Sequence, residues 1–322
     1  MRLSTSMIYQ QNLNSITNAY SKWQATGVQL ATGNRVNSPS DDPIAASQAV
    51  GVNQMQAQGA QYSAARSTAE ASLSLESTVL AQVTTAVQGI QSLLVQAGDG
   101  TLGDSDRQSL ATKLQSYKDQ LLTLANTQDA NGNYMFAGYK TGAAPFKQDA
   151  DTGAVTYVGG DTAVSQDVDS SRTMTIGDTG KTVFDSLTAG YTVEPDDAPS
   201  ETNVFNTIDL ALKALNTPLD DADDAARATY NADMAKAQRG MSNALDNVSS
   251  VQSAAGSKLN ELDTLDSIGT DRATIYTTRL NDLIGADPYQ VISDYSKQQT
   301  ALQASYATFN AMQKLSLFQT NS

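Results

Sequence analysis

Two stretches at opposite ends of the chain carry the clearest apolar rhythm. Tyr9, Leu13, Ile16, Tyr20, Trp23, Gly27 and Leu30 step by four and three in strict alternation, the seam pattern of a coiled coil. Val291, Tyr295, Leu302, Phe309 and Met312 form one stripe of a helix over residues 288–318, with Ile292 and Tyr306 beside it. Asp287 and Pro288 open that helix as cap and first helical residue. An apolar stripe of this kind needs a partner, because most helix stability comes from burying it. The two segments are therefore predicted to pair. Tyr9, Leu13, Ile16, Tyr20 and Trp23 face Tyr295, Leu302, Tyr306, Phe309 and Met312, within one subunit or between subunits.

The same rhythm fills most of the chain between them. From Ile44 to Ala97 a three-four step runs through Val52, Met55, Gly59, Tyr62, Arg66, Ala69, Leu73, Glu76, Leu80, Val83, Val87, Ile90 and Leu94. At about 1.5 Å per residue this predicts a helix roughly 80 Å long, a rod. Arg66 and Glu76 interrupt the stripe and are expected at a rod edge or a contact with a neighbouring subunit. Asp42-Pro43 opens this helix with the device seen at 287–288. Before it, Gly33 suits a helix end and Pro39 forbids simple continuation. Arg35, Asn37, Asp41 and Asp42 are expected to shape this joint between seam and rod. Leu110, Leu114, Tyr117, Leu121 and Leu124 mark a returning helix over about 104–128, capped by Asp104 and packed antiparallel on the end of the long one. Ser200 is read as the cap of a helix with Val204, Phe205, Ile208, Leu212 and Leu215. A second long helix carries Tyr230, Met234, Ala237, Met241, Ala244, Val248, Val251, Ala255, Leu262 and Leu265, opens behind the acids of 220–224, and stops near Leu283.

Between 143 and 193 the period changes to two. Val155-Thr-Tyr157-Val, Val164, Val168, Met174, Ile176 and Val183 sit in short pieces bounded by Asp and Gly, a small β-rich insert. Asn131-Gly132 marks a hairpin turn ahead of it, and residues 194–199 lead out of it. The fold class is mainly α. It is an elongated coiled-coil-like helical rod built from N- and C-terminal halves, with the insert at the tip. The expected domains are 1–42 with 285–322 (terminal seam helices), 43–139 with 200–284 (helical rod), and 140–199 (β-rich outer insert).

Composition narrows the chemistry. Asp and Glu number 34 against 20 Lys and Arg, which argues against a phosphate-binding surface and hence against nucleic acid. The first forty residues carry Arg2, Lys22 and Arg35 and no acid; the acids crowd into 149–224. There is no cysteine and no histidine, which removes disulfides, thiol nucleophiles, imidazole bases and the commonest zinc sites. Gly98, Gly100 and Gly103 have dinucleotide-loop spacing, but a helix precedes them, so they read as a helix–helix turn. Asp149-x-Asp151-x-Gly153 is too short for a calcium loop and reads as an acidic surface turn. No metal, cofactor or catalytic set is expected. The start lacks the apolar core of a cleavable signal, and no apolar run approaches a membrane span.

Several stretches carry a family resemblance. They are Met1-Arg2-Leu3-Ser4-Thr5, the run from Leu30 to Pro43 containing Gly33-Asn-Arg35-Val-Asn37-Ser-Pro39-Ser-Asp41-Asp42, and the ending Leu315-Ser-Leu317-Phe318. With them the chain resembles the flagellin family. Asn131-Gly-Asn-Tyr-Met-Phe136-Ala-Gly138-Tyr is similar to the branch at the hook–filament junction, and filament flagellins lack it. The resemblance implies a non-enzymatic structural subunit of the bacterial flagellum, outside the cell. It implies export by the flagellar type III system with an uncleaved terminus, and a cytoplasmic chaperone on the C-terminal helix. It implies a ring of subunits between the first hook-associated protein and flagellin, needed for filament assembly and motility. The competing readings are the filament flagellin itself, an enzyme or sugar-binding module on the insert, and a secretion-tip protein.

Overall fold

The computed structural model describes residues 5–99, 102–187, 192–195, 199–220 and 222–319, with backbone only at 5–6 and 314–319. Met1–Ser4, Gly100 of the glycine turn, Asp196–Ala198 of the linker, Asp221, and the side chains of Leu315, Leu317 and Phe318 lie outside the described residues. The elements are α1 (Thr5–Thr32), α2 (Pro43–Ala97), α3 (Asp104–Ala125), β1 (Phe146–Gln148), β2 (Val155–Tyr157), β3 (Ser165–Asp169), β4 (Arg172–Thr175), α4 (Gly180–Phe184), α5 (Val204–Leu215), α6 (Asp224–Ile284) and α7 (Pro288–Gln319). The fold is mainly α, as the periodicity predicts.

The Asp-Pro devices act as read. The Ala45 amide donates to Asp42 Oδ1 at 3.0 Å, and those of Tyr289 and Gln290 donate to Asp287 Oδ1 at 2.9 and 3.3 Å. Two other caps need correction. Gly103 holds the cap position of α3; Asp104 is already helical, and its carboxylate accepts from the Leu219 amide at 2.9 Å. Helix α5 is capped by Asn203, which accepts from Phe205 and Asn206 at 2.7 and 3.1 Å, and not by Ser200. Both errors follow from reading caps by residue type when a nearby orphan amide decides them.

Contacts divide the chain into two units, 1–61 with 269–322 and 62–268. In the second unit, α2 from Val79 to Ala97, α3, α5 and the first half of α6 share one core. Gly89 permits the α2–α3 approach, because a Cβ there would lie 2.6 Å from the Tyr117 ring. Phe136, Phe146, Phe184 and Phe205 are fully buried together. Phe146 stands 5.4 Å from both Phe184 and Phe205, and Phe136 meets Phe184 edge-on at 5.5 Å. Such offset and edge contacts are the favoured aromatic geometries.

The β-rich insert is two antiparallel hairpins, β1–β2 and β3–β4. The short helix α4 follows them and was not legible as a helix. Hairpin β3–β4 is seated on two helices. Its Val168 and Met174 pack on Ala69 and Leu73 of α2 and Ala255 and Leu262 of α6, along the flank of the helices. A two-stranded hairpin is marginal alone and needs such a surface. The reading of Arg66 and Glu76 is corrected, since both are buried under the insert (5% and 1% exposed). Arg66 donates to the Val168 carbonyl at 3.2 Å and pairs with Asp266, and Glu76 accepts from the Asp178 amide at 2.9 Å. Asn131-Gly132 does form a tight turn, with Gly132 at φ +81°, but a 3-10 turn at Met135–Ala137 follows it in place of a strand.

Helix α2 is long and apolar enough to cross a membrane by length and composition, contrary to the reading that no run comes close. Its apolar face is committed elsewhere: Leu80, Val83, Val87 and Ile90 are wholly buried in the core.

Candidate functional site

The first unit is built differently. Its terminal helices α1 and α7 pair antiparallel. Tyr9 lies 5.4 Å from Phe309, Asn12 Nδ2 reaches Met312 Sδ at 3.4 Å, and at the other end Trp23 lies 5.7 Å from Tyr295. Gly27 also faces Tyr295, where a Cβ would come within 3.4 Å of the ring. The segments predicted to pair are thus brought together within one chain. Leu302 and Val291 are buried; Leu13, Ile16, Trp23, Tyr295, Phe309 and Met312 are half-buried. Tyr9, Tyr20 and Tyr306 remain 45–47% exposed. Leu30, at the end of the predicted seam, drifts outward, because a 3.6-residue turn precesses against a strict 3.5 repeat.

The pair has one covered side only. Tyr289 is 85% exposed and Ile292 56%, and Ile44, Val50 and Ile275 in the same unit are also open. Neither buried apolar cluster includes a residue of 1–61 or 269–322. Open apolar side chains in this number make the unit a candidate interaction site.

The joint residues also come together. Gly33, at φ +71°, ends α1 in the left-handed conformation that glycine adopts freely. Its carbonyl accepts from the Ala286 amide at 2.9 Å, and the Arg35 amide donates to the Ile284 carbonyl at 2.6 Å. The Arg35 guanidinium spans Asp42 Oδ2 (3.2 Å) and the Leu283 carbonyl (3.0 Å), placing a cation on the carbonyl end of α6, where it is favoured. Asp41 accepts from the amides of Asn37 and Ser38 at 3.0 and 2.9 Å. Asn37 Nδ2 donates to the Asn34 carbonyl at 2.9 Å. The Ala45 amide and then Arg35 hold the Asp42 carboxyl below its ordinary range. Its contribution is therefore present above that range and lost only as pH falls through the lowered value. Sequence reading missed the other half of the joint, the backbone of 283–286. The signal for it was Gly285, one residue past the second long helix.

Asp41→Ala is expected to destabilise the joint by about 1 kcal/mol, the usual worth of a side-chain cap on two amides. Hydrogen exchange at Asn37 and Ser38 should rise; unchanged exchange would mean the turn holds without it.

Elsewhere, an open groove of about 980 Å³ between α3, α5 and the β1–β2 turn is lined by polar and apolar side chains alike. Its acids Glu201 and Asp209 are engaged by Lys236 (2.8 Å) and Lys118 (2.5 Å). Asp149 folds back on the amides of Asp151 and Thr152, which makes the 149–153 stretch a closed surface turn. Among the described residues no three His, Cys, Asp or Glu side chains gather as a metal site.

Comparison with known proteins agrees with this geometry. Residues 3–141 match the bacterial flagellin N-terminal helical region. Flagellar hook-associated protein 3 of Escherichia coli (strain K12) is 52% identical over 319 residues, 99% of either chain. Its Salmonella typhimurium counterpart is 51% identical over the full length of both. The fold is similar to the crystal structures of flagellar hook associated protein-3 from Legionella pneumophila (TM-score 0.64, 22% identity, 72% of this chain and 98% of that one) and of FlgL from Xanthomonas campestris (TM-score 0.60, 18% identity, 71% and 99%). With half of its residues shared along the whole length of these relatives, the chain belongs to the flagellar hook-associated protein 3 family.

Proposed function

We propose that the chain is a structural subunit joining the flagellar hook to the flagellin filament, and that α1 and α7 are its assembly surface. The observation that carries this reading is the half-covered helix pair, whose apolar side chains lack the burial a finished fold would give them. Neighbouring subunits supply that burial, and the pair gains stability on assembly by mass action. Tyr9, Leu13, Ile16, Tyr20, Trp23, Tyr295, Leu302, Tyr306, Phe309 and Met312 form the seam; Arg35, Asn37, Asp41 and Asp42 fix its exit angle. Residues 1–42 and 285–322 line the tube, 43–139 and 200–284 make the helical body, and 140–199 face outward. The subunit leaves the cell through the flagellar type III channel without a cleaved signal, after a cytoplasmic chaperone has held its C-terminal helix. It then sits as a ring on the first hook-associated protein and receives flagellin above.

Deletion of the gene tests this. The expected result is intact hooks without filaments, with unpolymerised flagellin in the medium. Normal filaments would overturn the proposal, and loss of both filaments and free flagellin would mark the chain as the filament subunit.

A further inference from the structure

We propose that Glu76, Asp178 and Lys258 form a pH-sensitive latch on the β3–β4 hairpin, closed when Glu76 carries a proton and loosened when it is charged. Glu76 projects from α2 and is 1% exposed. Its Oε1 accepts from the Asp178 amide at 2.9 Å, in the turn directly after β4. Its Oε2 is buried without a hydrogen-bond partner, and so is Asp178 Oδ2. One cation serves both acids: Lys258 of α6 approaches Asp178 Oδ2 at 3.5 Å. With both acids ionised the pocket holds two negative charges against one positive. A proton on Glu76 balances them and turns one orphan acceptor into a donor. Buried charge without compensation is expensive, so the turn should lift rather than bear it.

The surrounding groups leave the imbalance in place. Arg172 is closed on Glu261 (2.5 and 2.8 Å), and Arg66 on Asp266 and the Val168 carbonyl. From α2 the facing charge is Glu76, from the turn Asp178, and from α6 Lys258. Burial first, and the Asp178 charge second, push the Glu76 carboxyl up to about 7, against the pull of the Asp178 amide and Lys258. For a carboxyl raised in the folded state, the latch is strongest below the ordinary value of 4.5 and weakens as pH rises through about 7. The apolar contacts of Val168 and Met174 with Ala69, Leu73, Ala255 and Leu262 do not depend on the Glu76 charge. The change is therefore a local opening of the hairpin, distinct from unfolding.

Hydrogen exchange on the full chain tests the proposal, with each amide normalised to its intrinsic rate. The reporters are the Ile176 amide, bonded to the Val164 carbonyl, and the Asp178 amide on Glu76. Their protection should fall roughly thirtyfold between about pH 5.5 and 8.5, the ratio set by an opened-state value of 4.5 and a closed-state value of about 7. Glu76→Gln, which keeps the acceptor and cannot ionise, should hold protection flat and high. Lys258→Met should move the midpoint upward. Flat protection in the unaltered chain would overturn the latch. So would a pH dependence that survives Glu76→Gln, or a parallel loss at the α3 amides that makes the effect global.

Discussion

Leu302→Asp or Phe309→Asp is expected to abolish incorporation into flagella while leaving residues 62–268 folded. Leu302 is among the few buried side chains of α7, and Phe309 lies against Tyr9. A carboxylate at Leu302 must lose most of its water against an apolar face, at a cost of several kcal/mol, and one at the half-buried Phe309 removes the ring contact with Tyr9 and sets a charge in the seam. The helix pair has little to set against that cost, since its other large side chains are half-covered. The second unit has its own core, to which neither residue contributes, so its cooperative unfolding should be unchanged. The check is motility and electron microscopy of a strain carrying the variant alone, with circular dichroism of the purified protein. Normal swimming with either substitution would overturn the assembly role of the seam.

Phe146→Ala should produce the largest loss of stability in the second unit, about 3–5 kcal/mol, the range for truncating a buried aromatic side chain. The ring is 2% exposed and touches Phe184, Phe205 and Tyr157. It also lies against Gly180, where a Cβ would come within 2.5 Å of it. Its strand further uses both backbone groups on the Asn126 side chain, at 3.0 and 3.1 Å. These anchors hold the surroundings apart and keep the cavity from collapsing. Urea unfolding of the full chain measures the loss; a change under about 1 kcal/mol would mean that the aromatic group closes over the gap.

The helices were legible in the sequence because periodicity is a local property. Each apolar side chain in α2 and α6 announces its face through neighbours three and four away. The Asp-Pro pairs at 42–43 and 287–288 were equally plain. What escaped was set by distant partners. Arg66 and Glu76 look like surface interruptions of a stripe until a hairpin roughly a hundred residues later covers them. Phe146 and Phe184 stand alone in irregular sequence, so no pattern marks them as the centre of the core. The joint was half legible. Arg35 and Asp42 were visible as a motif, but the Leu283 carbonyl that Arg35 also holds has no signature in the sequence.

The pairing of α1 with α7 also sets an order of events. Asn12 and Met312 are 300 positions apart, and closing so long a loop carries a large entropic cost that intervening structure must first reduce. During synthesis α1 emerges well before α7 and waits for its partner while the residues between them are made. The second unit can fold in the meantime, since its buried clusters draw only on residues between 69 and 262. Closure of the terminal pair is therefore a late step, taken after the second unit has gathered its own core. Removing the last turns of α7 that carry Phe309 and Met312 would leave the core of the second unit intact and undo the far end of the seam, which separates folding of the body from pairing of the ends.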